Sequence, residues 1–284
     1  MSGIAIITDS DSSLPLELTA ARGIRQVPIT VHFGDTVLKS GEEISDEQVF
    51  ERVDREGVLP TTAAPAPGAF LAAYEDAFAA GAESIICFCV SSEISATYSA
   101  AVAARELLED REVHVVDTRT LSIPQGFMAL AAQEAAERGM PAEAIIAHAE
   151  SLRDRTVLYA ALATLKYLAM SGRVGHLAAG MGNLLNVKPI LTIRDGKLDL
   201  LEKVRTQKKA WPRVIELTAQ ALAGCPVERM AILHVAARED ALQFEQMVRA
   251  ALPCPERIMV AGLSAGLSVH AGAGLVGVCA VAAA

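Results

Sequence analysis

The sequence predicts an α/β protein with an N-terminal domain on a mostly parallel sheet, residues 1–155. A C-terminal α+β domain with a mixed or antiparallel sheet follows, residues 156–284. Three observations predict this. Strand-like apolar runs alternate with helical patterns through the first half, the order that builds a parallel sheet. Asp195-Gly196 stands between the runs Val187–Ile193 and Leu198–Val204, a strong hairpin signal that belongs to antiparallel strands. Apolar residues make up 52% of the 284 and charged residues 21%, enough to fill a core, which excludes a disordered chain.

The elements follow in order. Ile4–Ile7 reads as a buried strand, Leu14–Arg22 as a short helix stopped by Gly23, and Arg25–Phe33 as a second strand. Ser45 with Gln48 three residues on forms a capping box for a helix ending at Gly57. Leu59–Pro67 reads as a loop rich in Pro, Thr and Ala, with Pro67 suited to the first turn of a helix that Gly81 closes. Ser84–Val90 and Glu112–Asp117 read as strands, and Ser95–Leu108, Pro124–Arg138 and Pro141–Arg153 as helices. In the second half, Val157–Ala163, Arg229–Val235 and Arg257–Ala261 read as strands, with a helix at Asp240–Leu252. Leu263–Ala284 is apolar, but its serines, His270 and glycines fit a loop and a buried strand rather than a spanning helix.

Charge narrows the partners. With 25 basic and 34 acidic residues the chain carries −9, which disfavours nucleic acid and anionic membranes. Aromatics are only 4%, so no stacking platform for bases is visible. Cys87, Cys89, Cys225, Cys254 and Cys279 show no metal-binding spacing, and an odd number does not suit a disulfide framework. Cys87 and Cys89 read as small buried hydrophobes of a reducing cytoplasm. The start, MSGIAIITDSD, has no basic region or cleavage site, which predicts no signal peptide and a cytoplasmic protein.

Three motifs invite catalytic readings. Gly272-Ala-Gly274-Leu-Val-Gly277 matches GxGxxG, but only seven residues follow and none is acidic, so a nicotinamide site is rejected. Gly262-Leu-Ser264-Ala-Gly266 matches the nucleophile elbow GxSxG. The last acidic residue of the chain, Glu256, precedes the serine, which leaves a hydrolase using Ser264 as a minor alternative. Asp9-Ser-Asp11-Ser-Ser13 resembles the box of Mg²⁺-dependent phosphotransferases, with Asp9 and Asp11 sharing a metal. Asp and Ser at a strand mouth are also common turn formers, and no P-loop GxxxxGK[ST] is present.

Hydroxyl-bearing loops follow the strands: Thr61-Thr62, then Ser91-Ser92-Glu-Ile-Ser95-Ala-Thr97-Tyr98. Ligands of open α/β sheets bind where such loops gather, although Ser95 serves equally as a helix cap. The order of several stretches is recognisable: IAIITDSDSSLP (4–15), VPITVHFGD (27–35), Pro65-x-x-Gly68-x-Phe70 and SSEISATYSAA (91–101). LKYLAMSGRV (165–174), NLLNVKPIL (183–191), KVRTQKKA (203–210) and VHAGAG (269–274) continue it. Together these make a chain that resembles the DegV family over its full length. It departs from the family pattern at Ala63-Ala64, Ala96, Met170-Ser171, Ala273 and the loop Lys39-Ser-Gly41, which leaves the hydroxyls and His270 in place.

The resemblance implies a lipid-binding protein, not an enzyme, that holds one long-chain fatty acid between its two domains. It implies that Thr62, Ser95 and His270 hold the carboxylate. It further implies that the acid is presented to a separate ATP-dependent fatty acid kinase, with Arg173 and Arg205 at the pocket mouth or the kinase contact. No cofactor and no metal are expected. The residue chemistry agrees, since a carboxylate shielded from water needs several donors, and two hydroxyls with an imidazole supply them.

Overall fold

The computed structural model describes residues 3–172 and 187–284. In chain order the N-terminal half runs β1 (Ile4–Asp9), a 3-10 turn (Ser10–Ser12), α1 (Leu16–Ala21), β2 (Arg25–Val27), β3 (Thr30–Phe33) and β4 (Thr36–Lys39). Next come α2 (Asp46–Glu56), β5 (Thr61–Ala63), α3 (Pro67–Ala79), β6 (Ser84–Cys89), α4 (Thr97–Arg105), β7 (Glu112–Asp117), α5 (Ile123–Glu137) and α6 (Ala142–Asp154). The rest comprises β8 (Thr156–Ala161), α7 (Lys166–Met170), β9 (Lys188–Arg194), β10 (Lys197–Val204), α8 (Gln207–Leu222) and β11 (Val227–His234). It ends with α9 (Arg238–Ala251), β12 (Met259–Gly262), α10 (Ala265–Ala271) and β13 (Val276–Ala282).

A parallel sheet of order β2-β1-β6-β7 carries the N-terminal half, and a six-stranded mixed sheet of order β10-β9-β8-β13-β11-β12 carries the other. The expected α/β architecture is therefore present. Helices α3 and α4 pack on one face of the parallel sheet, while α5 contacts β1 and β6 from the opposite face and reaches β11 of the mixed sheet. Helices α8 and α9 cover the outer face of the mixed sheet. Lying between two sheets, α5 buries twelve of its fifteen residues, all but Gln133, Glu134 and Glu137 near its end. One apolar core runs from Ile6 and Phe88 through Met128 and Leu130 to Leu162 and Leu233, so it joins the two halves.

Local chemistry explains the boundaries. Ser45 and Gln48 form the reciprocal capping box, and Gly57 ends α2 in the left-handed conformation. Asp195 and Gly196 both have positive φ, as the two-residue turn between β9 and β10 requires.

Four expectations need correction. Arg25–Phe33 is two strands, because Pro28 lacks the N–H that would continue the ladder: β2 pairs with β1, whereas β3 joins an antiparallel sheet of order β4-β3-β5. The Thr-rich loop at 59–67 contains β5, whose Thr62 pairs with Val31 of β3. The stretch after Leu263 is not all loop, since Ser264 caps α10 by accepting from the Leu267 N–H. No helix is expected from the sequence at 207–222, where α8 forms and buries a face that includes Trp211, Val214, Thr218 and Leu222.

Candidate functional site

The strand order β2-β1-β6-β7 reverses direction between β1 and β6, and ligands of open α/β sheets bind at the carboxyl ends flanking such a reversal. Asp9 ties the two ends together. One of its carboxylate oxygens accepts from the Val90 N–H at 2.7 Å, the other from the Asp11 N–H at 2.9 Å. Burial pushes its carboxyl up to about 6, with the hydrogen bonds from Val90, Gln125 and Asp11 pulling the other way.

Beyond β6, the loop that carries Ser95 is pinned at several points. The Ser92 hydroxyl donates to Asp117 at 2.5 Å, the Ser91 N–H donates to the Thr120 carbonyl, and the Ser95 N–H to the Ser91 carbonyl. The Ser95 hydroxyl is hydrogen-bonded to that of Thr97 at 2.8 Å.

Helix α10 brings the C-terminal half into this crevice, packing against α2, α7, β3 and β5. Its start is tied to N-terminal residues. The Ser264 hydroxyl donates to Asp11 at 2.7 Å, the Ser264 N–H to Ser13 at 3.0 Å, and the Gly266 N–H to Ser40 at 3.2 Å. A Cβ at Gly266 would lie 2.8 Å from the Asp11 carboxylate, so only glycine lets the helix approach this closely. At its other end, His270 Nε2 is hydrogen-bonded to Thr62 Oγ1 at 2.8 Å.

His270 also lines an apolar cavity between the halves, about 670 Å³ including its open mouth. Ile94 and Leu121 face it from the N-terminal half; Leu158, Leu162, Leu191 and Leu233 face it from the mixed sheet. Apart from Ser122, Thr192 and His270 the lining is aliphatic. Such a space desolvates a hydrocarbon chain, while the imidazole and hydroxyl at its edge suit an anionic head.

Of the residues read from the sequence, Thr62 and His270 are thus joined directly across 208 positions. Ser95 does not line the cavity, although its neighbour Ile94 does, and its hydroxyl is turned to Thr97. Arg205 is exposed just past β10. Arg173 lies outside the described residues.

The residues of the catalytic motifs have structural partners. Asp9 is buried under backbone N–H groups, and Asp11 and Ser264 bond to each other. Among the described residues no group of three or more His, Cys, Asp and Glu could hold a metal ion. Nor is any helix there long and apolar enough to cross a membrane. The glycines of 272–277 lead into β13 rather than a helix.

Sequence reasoning missed Tyr167. Its ring rests on Gly272, where a Cβ would lie 2.2 Å from Tyr167 Cδ2, and it stacks edge-on with Phe50 at 5.8 Å between centroids. Gly272 has φ 81° and ψ 152°, a region essentially reserved for glycine. A glycine two residues beyond the histidine was the available signal.

Comparison with known proteins agrees with this architecture. The chain is 37% identical over 276 residues to the DegV domain-containing protein SCO2569 of Streptomyces coelicolor, covering 97% of each. A Thermus thermophilus DegV family protein, described by its fatty acid binding, superposes with a TM-score of 0.91 at 32% identity, over 99% of both chains. Bacillus subtilis DegV, described as a fatty acid binding protein, superposes with a TM-score of 0.89 at 30% identity over the whole of both chains. The family model described as "uncharacterised protein, DegV family" matches residues 3–283, and with the fold and these relatives in agreement, the chain belongs to the DegV family.

Proposed function

We propose that this protein binds one long-chain fatty acid in the cavity between its two units, which divide near residue 155. The observation that carries this reading is an aliphatic cavity whose edge bears His270 hydrogen-bonded to Thr62. The fatty acid binding described for the Thermus and Bacillus relatives supports it. Thr62, Ser95 and His270 hold the carboxylate, and the hydrocarbon supplies the larger part of the affinity. At roughly 0.8 kcal/mol per methylene, about 14 buried methylenes contribute on the order of 11 kcal/mol before ordering costs.

On this reading the protein is a cytoplasmic carrier, not an enzyme. It presents the carboxylate to a separate ATP-dependent kinase that forms the acyl phosphate, with Arg173 and Arg205 at the mouth or the kinase contact. Organic extraction of purified protein followed by mass spectrometry tests the ligand, and the expected result is an acid of about 16 to 18 carbons. Protein that yields no acid and takes none up at micromolar concentration overturns the reading. For the second half, protein with ATP, Mg²⁺ and palmitate alone yields no acyl phosphate; product without any added partner rejects the carrier role.

A further inference from the structure

Three aliphatic side chains stand on neighbouring strands of the mixed sheet, β8, β9 and β10. Leu198 of β10 pairs with Ile193 of β9. β8 pairs with β9 at Ala160 opposite Leu191 and Ala161 opposite Ile190, and Leu158 and Ile193 each lie two residues beyond the Ala160–Leu191 pair. All three line the apolar cavity.

The same registers give the cavity a direction. Alternate residues of a strand share a face, so Leu158 and Ala160 of β8, with Leu162 one residue past its end, form the wall there. His270 belongs to the Leu162 end, because α10 passes through Gly272–Leu275 into Val276, which pairs with Ala161. From Leu162 to Leu158 is about 13 Å. The cavity therefore has a polar end beside His270 and an aliphatic end at Leu158, Ile193 and Leu198.

A different space lies past those three residues. A second cleft, polar and lined by Arg119, Arg153, Asp154 and Arg194, shares Leu158, Thr192 and Ile193 with the first. Those shared side chains separate hydrocarbon surroundings from charged ones. The hairpin behind them is clamped to the N-terminal half. Ser91 Oγ donates to the Gly196 carbonyl at 2.7 Å, the Arg119 guanidinium donates to the Asp195 carbonyl, and Lys197 pairs with Glu93 at 3.1 Å. A Cβ on Gly196 would lie 2.6 Å from Ser91 Oγ, so the turn is seated without slack.

We propose that Leu158, Ile193 and Leu198 are specificity-determining residues, a partition that ends the acyl slot and sets the longest chain it seats. This rests on the fatty-acid reading above. A methyl end that just reaches these residues keeps every methylene buried. A longer chain must displace clamped side chains or enter a cleft of guanidinium and carboxylate groups, where the extra carbons gain no burial. The ligand class is accordingly an unbranched monocarboxylic acid of limited length without a polar far end.

The test measures affinities of straight saturated acids from about 12 to 22 carbons, and of 16-hydroxyhexadecanoic acid, for the wild type and three variants. Wild-type affinity is expected to rise with length to a maximum and then fall. Ile193→Ala and Leu158→Ala move the maximum roughly two carbons longer. They also improve 16-hydroxyhexadecanoic relative to hexadecanoic acid about tenfold. Ile193→Phe, which fills space rather than emptying it, moves the maximum shorter and keeps the test decisive should an alanine variant fail to fold. A maximum unmoved by Ile193→Ala and Ile193→Phe overturns the partition even if overall affinity falls. A wild type that binds none of the acids overturns the fatty-acid reading itself, a distinguishable result.

Discussion

Thr62 on β5 and His270 in the last turn of α10 stand 2.8 Å apart through a hydrogen bond that spans 208 positions of the chain. Neither residue could meet the other without the three-stranded sheet holding β5 and the ties that seat α10 on the N-terminal half. His270 lines an aliphatic cavity, and a carboxylate bound there would add a charge for the pair to satisfy.

Replacing those donors should therefore weaken binding of the acid more than it weakens the fold. Hydrogen bonds to a charged group contribute roughly 1.5–3 kcal/mol each. Thr62→Val and Ser95→Ala are each expected to raise the dissociation constant for palmitate about tenfold to a hundredfold. Their urea midpoints should stay near that of the wild type. Isothermal titration gives the first quantity and equilibrium unfolding the second; unchanged affinity in both variants would move the head group elsewhere.

Ser264 acts as a helix cap and an Asp11 partner, and Ser264→Ala should read as a stability variant. Losing the cap costs about 1 kcal/mol, and Asp11 loses a buried donor at 2.7 Å, for a total of roughly 2–4 kcal/mol. Cleavage of p-nitrophenyl esters should be equal for the variant and the wild type. A rate that disappears with the hydroxyl would revive the nucleophile reading.

Asp9 makes stability depend on pH in an uncommon direction for a carboxylate. Burial raises its native pKa to about 6 from the ordinary 3.8, so the native protein holds the proton more tightly than the unfolded chain. Its contribution is complete below pH 3.8 and is lost as pH rises through about 6, amounting to roughly 3 kcal/mol. The difference in unfolding free energy between wild type and Asp9→Asn should fall by that amount between the two values. A difference that stays flat, or grows with pH, contradicts the raised pKa.

Gly272→Ala is expected to cost stability twice over. The backbone there, at φ 81° and ψ 152°, carries a penalty of about 1–3 kcal/mol for any residue with a Cβ, and that Cβ collides with the Tyr167 ring. Combining it with Tyr167→Ala should relieve the collision but not the backbone strain. The two changes will then be less than additive in thermal melts. Strict additivity would mean that ring and glycine do not touch.

Much of this was legible because local chemistry and tertiary structure agreed. The capping box of Ser45 and Gln48, the turn at Asp195-Gly196 and the β7 limits Glu112–Asp117 needed no distant partner to be recognised. The failures were places where a distant partner decides. Three residues, Thr61–Ala63, carry too little periodicity to announce a strand, and become one only because β3 lies beside them. Pro28 sends the halves of one extended run into different sheets. At the site, Thr62 and His270 came to notice through family resemblance, since a threonine in a Pro-rich stretch and a histidine among glycines carry no local sign of each other. The Ser91–Gly196 contact and the seat of Tyr167 on Gly272 depend wholly on packing between distant segments.

Strand β13 is synthesised after every other described strand, yet it lies inside the mixed sheet with β8 on one side and β11 on the other. Until residues 276–282 have left the ribosome, β8 and β11 each lack the neighbour that finally joins them. Unpaired strand edges of this kind invite association with other chains. The mixed sheet is thus complete only once residues 276–282 have emerged, and a nascent chain stalled before residue 276 would leave β8 and β11 with open edges.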